Sequence, residues 1–67
     1  MKLESKKLRT ILYERDLTQK ELSKKANLAF FTINKVCNGG SCKYETGIAI
    51  AKALGLTLDD LLEKKGE

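Results

Sequence analysis

Leu8, Ile11 and Leu12 stand three and four residues apart, the spacing of one apolar stripe on an α-helix, while Lys6, Lys7 and Arg9 are left for solvent. The stripe predicts a first helix from about Ser5 to Glu14. Thr18 and Glu21 then form a T-Q-K-E capping box that satisfies the amides orphaned at a helix start, so a second helix begins at about Gln19. Leu22 and Ala26 lie on one of its faces, Lys20, Lys24 and Lys25 largely on the other, and Leu17 precedes the cap as an apolar staple. Asn27 suits a left-handed position at the end of that helix. Ile33 and Val36 carry the helical period onward to a stop at Asn38-Gly39-Gly40. Two helices joined by so short a turn match a helix-turn-helix over about residues 18–38.

From about Tyr44 to Leu54 the apolar positions Ile48, Ala51 and Leu54 recur, with Ile50 and Ala53 widening the stripe and Gly55 placed to end a fourth helix. Thr57 and Asp60 repeat the capping-box logic. Leu58, Leu61 and Leu62 give a fifth helix its apolar face, to roughly Lys64. No strand-like segment of useful length and no internal repeat is present. The expected architecture is all-α, five short helices in a single domain over residues 1–67. Its expected core is Leu8, Leu12, Leu17, Leu22, Ala26, Ile33, Val36, Ile48, Ala51, Leu54, Leu58 and Leu61.

Length and composition narrow the function. A chain of 67 residues, 42% apolar and 33% charged with no proline, has room for one small packed core and no second module. No apolar run approaches the roughly 20 residues that cross a bilayer, and the N-terminus lacks the apolar segment of a signal peptide. A soluble, cytoplasmic protein is expected. The net charge of +4 permits a polyanionic partner without requiring one. Its distribution is more telling: eight Lys/Arg face four Asp/Glu up to Lys25, against three and four from Thr46 onward. One basic end would orient such a domain on a duplex.

The chemistry of catalysis is missing. There is no His, no Gly-rich phosphate loop and no nucleophile motif, and Glu4, Glu14, Asp59, Asp60 and Glu63 form no recognisable pair, so no enzymatic activity is expected. Cys37 and Cys42 cannot supply a four-ligand zinc site from one chain, and a disulfide is not expected in a reducing cytoplasm. Both are expected to be small buried hydrophobes, with a metal shared across a dimer as the alternative. Neither a cofactor nor a small-molecule ligand is implied.

The segments L-T-Q-K-E-L-S-K-K-A, T-I-N-K-V-C-N-G and I-A-K-A-L-G-L-T-L-D-D-L-L, in this order and spacing, resemble the Cro/repressor-type helix-turn-helix (XRE) family over nearly the whole chain. The resemblance implies a lambda-repressor-like five-helix bundle and a DNA-binding transcriptional regulator, commonly a repressor of bacterial or phage origin. Its third helix would enter the major groove, and a homodimer, weak in solution or formed on DNA, would sit on a palindromic operator. It further implies that Phe30, Phe31, Asn34 and Lys35 face base edges. Gln19, Lys20, Thr32, Asn38 and Lys43 would meet the phosphate backbone.

Two positions depart from the family pattern. Where many members pair a buried Arg of the first helix with a Glu ending the third, this chain has Leu12 and Cys37, so no charge is stranded. Where polar readers are usual it has Phe30 and Phe31, which offer no donor or acceptor and can only meet a thymine methyl or wedge against bases. Three arrangements stay open for the pair: one ring packed and one on DNA, both on DNA, or an apolar patch that binds protein. The lysines of the second helix are read equally well as a solvated face. Lys35, one turn beyond Phe31, is placed for a phosphate or a guanine.

Overall fold

A computed structural model describes residues 1–62 and places five helices in them: α1 Ser5–Glu14, α2 Gln19–Ala26, α3 Phe30–Cys37, α4 Tyr44–Leu54 and α5 Leu58–Leu61. Isolated helices below about 12–15 residues are marginal in water, so these depend on what they pack against. α2 lies on α3 and α4, α1 on α3, and α5 on α4. Between them sit Leu8, Leu22, Ile33, Val36, Cys37, Ile50 and Leu61, none with any exposed surface. Each large side chain among them contributes about 1.5–3 kcal/mol by leaving water.

The first four helices end alike. Asp16, Asn27, Gly39 and Gly55 take positive φ of 55, 59, 92 and 72°. The amide of the next residue then reaches back five positions, Leu17 to Leu12, Leu28 to Ser23, Gly40 to Lys35 and Leu56 to Ala51, at 2.8–2.9 Å. This is the Schellman closure, which satisfies the last carbonyls of each helix. Asn27 and Gly55 are the residues expected there; Asp16 is the addition, tolerated because Asp enters the left-handed region more readily than most residues. Both expected capping boxes are present, Thr18 with Glu21 and Thr57 with Asp60. Arg15 adds a charged closure of its own by donating from Nη1 to the carbonyl of Leu54 at the end of α4.

Several expected core positions shift. Ile48 is only half-buried and Ile50 takes its place, because the inward face of α4 runs through Gly47, Ile50, Ala51 and Leu54. A glycine adds nothing to an apolar pattern, yet here it makes room: a Cβ on Gly47 would lie 2.9 Å from Leu58 Cδ1 and 3.0 Å from Met1 Sδ. Leu17 and Leu58 are half-buried against the core rather than within it, and Ala26 is half-buried too. Leu3 is a core residue that lies outside any helical period.

The same N-terminal segment shortens the last helix. Leu62 is extended, with φ −69° and ψ 146°, and pairs antiparallel with Leu3, while the Glu4 amide donates to Leu61 at 2.8 Å. α5 therefore stops at Leu61 instead of running to Lys64; Glu63 and Lys64 lie outside the described residues. At its other end the segment exchanges two backbone bonds with Cys42, Met1 amine to Cys42 carbonyl at 2.9 Å and Cys42 amide to Met1 carbonyl at 2.8 Å. Residues 1–4 thus strap the α3–α4 loop to the end of α5. Ser23 is the one buried polar side chain among the described residues, and its hydroxyl donates to the Lys20 carbonyl.

Candidate nucleic-acid interface

Three residues, Asn27, Leu28 and Ala29, join α2 to α3. The left-handed Asn27 reverses the chain, Leu28 packs partly against the core, and Ala29 starts α3 without a side-chain cap. Ile33, Val36 and Cys37 anchor the inward face of α3, which leaves Phe30, Phe31, Asn34, Lys35 and Asn38 on faces directed away from the core.

Two polar arrangements meet on that surface. The first is a chain of side-chain amides: Asn38 Nδ2 donates to Asn34 Oδ1 at 3.3 Å, and Asn34 Nδ2 donates to Gln19 Oε1 at 3.0 Å. These bonds leave free both N–H donors of Gln19, one N–H of Asn34 and one of its lone pairs. The first residue of α2 and the middle of α3 therefore present their remaining donors in a fixed relation.

The second is an open groove of about 270 Å³ between α3 and the start of α4, walled by Phe31, Thr32, Lys35, Ser41, Lys43 and Thr46. It carries two ammonium groups and three hydroxyls, and no carboxylate lines it. α4 opens at Lys43 with no side-chain cap, so its first amides add donors beside the groove. Such a surface suits an anion with many oxygens.

The expected site residues separate accordingly. Gln19, Asn34 and Asn38 are hydrogen-bonded to one another; Phe31, Thr32, Lys35 and Lys43 share the groove; Lys20 is exposed on the first turn of α2 and joins neither. Phe30 and Phe31 remain 50% and 74% exposed, so neither ring belongs to the core. Ser41 and Thr46 escaped the sequence reading because single hydroxyls beside a loop carry no periodic or motif signal. Tyr44, 64% exposed at the first position of α4, does not line the groove.

The cysteines divide. Cys37 is fully buried, and that burial pushes its thiol up, only partly opposed by the charge of Arg9. Cys42 is half-buried in the groove wall rather than in the core; burial raises its thiol as well, against the pull of the Met1 amine. A thiol with no exposed surface cannot reach a metal shared with another chain, which removes Cys37 from such a site. Among the described residues no group of three or more His, Cys, Asp or Glu is placed to hold a metal ion.

Residues 6–61 match the family described as helix-turn-helix. The chain belongs to the Cro/repressor-type helix-turn-helix family. No curated protein and no solved structure matches it. In this helix-turn-helix domain α2 and α3 are two helices joined by a three-residue turn, and the amide chain and the groove both involve the second of them. No helix among the described residues is long and apolar enough to cross a membrane.

Proposed function

We propose that this helix-turn-helix domain is a transcriptional repressor of a bacterium, a phage or a mobile element, acting in the cytoplasm by binding a specific double-stranded operator. α3 lies in the major groove, and a homodimer engages two half-sites about one helical turn apart. Phe30, Phe31 and Asn34 meet base edges, Lys35 meets a guanine or a phosphate, and Gln19, Lys20, Thr32, Asn38 and Lys43 meet phosphates. The observation that carries this reading is the pairing of a fixed amide chain with a carboxylate-free, two-lysine groove on the same helix. One half offers directed hydrogen bonds and the other offers cations, the two components of sequence-selective duplex binding. The dimer forms through the C-terminal helices or on the DNA itself.

Selection of bound fragments from random duplexes, followed by affinity measurement at several salt concentrations, tests it. A preferred sequence, and a steep fall of log affinity with log salt, are expected. A chain that binds no selected fragment more tightly than random duplex at moderate salt ends the proposal.

A second reading is favoured by the exposure of Phe30 and Phe31: the same bundle as a protein-interaction module with the two rings as its contact. An apolar protein contact gives a nearly flat salt dependence, so the same titration separates the two.

A further inference from the structure

The first two residues of α3 are phenylalanines, 50% and 74% exposed, at the end of the helix that a helix-turn-helix directs to base edges. The nearest polar side chains of α3 are partly engaged. Asn34 is bonded in both directions, to Gln19 and to Asn38, and Thr32 is half-buried in the groove wall. The side chains of the first two residues of the helix therefore offer a duplex an apolar surface with no donor or acceptor of their own. Among the groups that base pairs display in the major groove, the C5-methyl of thymine is the apolar one.

Charge decides what kind of partner covers the rings. Phe31 shares its groove with Lys35 and Lys43 and with no carboxylate, so whatever lies on the ring also lies beside two ammonium groups. An apolar protein surface would have to desolvate or match them, whereas a duplex brings phosphates to them while its base edges reach the ring.

We infer that Phe31, with Phe30 beside it, reads thymine through its 5-methyl group and makes this domain selective for thymine under the N-terminal end of α3. The inference rests on the DNA-binding reading above and goes beyond it by naming the base and the atom recognised. A phenyl ring has no donor or acceptor, so it cannot tell O4 of thymine from N4 of cytosine; only the methyl distinguishes them.

The test uses the full chain and a duplex selected from random DNA, with each thymine replaced in turn by deoxyuridine, which removes the methyl and leaves every hydrogen bond. At one or more thymines of each half-site affinity falls about fourfold, the effect of one buried methyl group. Phe31→Ala binds thymine and uracil alike at those positions, and Phe31→Leu keeps part of the preference. If uracil substitution changes nothing while the selected sequence is still preferred over random duplex, the inference is overturned and DNA binding stands. If no sequence is preferred, both fall. If Phe31→Ala alters oligomeric state in sedimentation but leaves DNA affinity unchanged, the rings pack against protein and the inference is likewise overturned.

Discussion

Asn34 Nδ2 donates to Oε1 of Gln19 at 3.0 Å, tying the outward face of α3 to the first residue of α2. The backbone on either side of Gln19 is fixed by the capping box of Thr18 and Glu21, whose two bonds are 2.9 and 3.0 Å long. A side chain oriented in this way has already lost rotamer freedom that a ligand would otherwise have to remove, which favours tight binding without adding a contact. The cap, the amide bond and the recognition surface are thus one connected unit.

Gln19→Ala is therefore expected to weaken operator binding twice, by removing its own N–H donors and by releasing Asn34. A double-mutant cycle with Asn34→Ala measures the second part. The two losses should be non-additive by about 0.5–1.5 kcal/mol, the scale of one hydrogen bond, when binding is followed by fluorescence anisotropy. Thermal stability should barely change, since both side chains keep access to water. Strict additivity would mean that the bond plays no part in presenting Asn34.

Salt dependence distinguishes the groove lysines from the rest. Lys35→Ala and Lys43→Ala should each make the plot of log affinity against log salt shallower by about one, the change for one lost phosphate contact. Lys52, exposed on the last turn of α4 and away from the groove, is the control. Its replacement should leave the slope unaltered; equal effects at all three positions would point to diffuse charge instead of two contacts.

What the sequence reveals here follows from which physical signals are local. Capping boxes at Thr18 and Thr57, helix ends at Asn27 and Gly55, and the bounds of α1 and α4 are written in neighbouring residues, and all are found in the structure. The burial of Leu3 and the early stop of α5 are not local, since they arise from pairing between residues 59 positions apart. Gly47 misleads for a related reason: the contact it allows is supplied by Leu58 and Met1 from elsewhere in the chain. At the site the side-chain types were legible, but the bonds among Gln19, Asn34 and Asn38 required the α2–α3 packing, and the groove required the loop.

The left-handed helix ends give opposite stability effects at two positions. Gly55 has φ 72° and open space around its Cα, so Gly55→Ala adds only backbone strain and should cost about 1 kcal/mol. Asn27 has φ 59° in the same role, and Asn27→Gly should be neutral or stabilising by a few tenths of a kcal/mol. In a domain this small, 1 kcal/mol corresponds to a shift of about 4–8 °C in Tm, readily followed by circular dichroism.

Burial of Cys37 couples folding to alkaline pH. Its thiol is raised above the ordinary value of 9.0, so the folded state holds the proton more tightly than the unfolded chain. The corresponding stability is fully present below the unfolded value and is lost as pH rises through the raised folded one. The urea midpoint should therefore fall above a pH of about 9 more steeply in the natural chain than in Cys37→Ala, whose absolute stability is lower because of the cavity. Alkylation gives a second measure: half-buried Cys42 should react in the folded protein, and Cys37 only at the rate of unfolding.

The deepest test of the fold lies at Leu12 and Cys37, which are 4% and 0% exposed and which the family resemblance sets where many members bury an Arg–Glu pair. Leu12→Arg alone would place an unpaired charge in the core and should cost about 3–5 kcal/mol, as should Cys37→Glu. That approaches the whole stability expected of a domain this size, so each single variant should be largely unfolded. The double variant Leu12→Arg/Cys37→Glu supplies each charge with its partner and should regain most of the loss, measured as a coupling energy in urea denaturation. It should not exceed the natural chain, because desolvating two ions offsets their attraction and an apolar pair of suitable shape incurs no such cost. A double variant as unstable as the summed singles would show that the two positions do not meet across α1 and α3, and the correspondence with the family's buried pair would then fail.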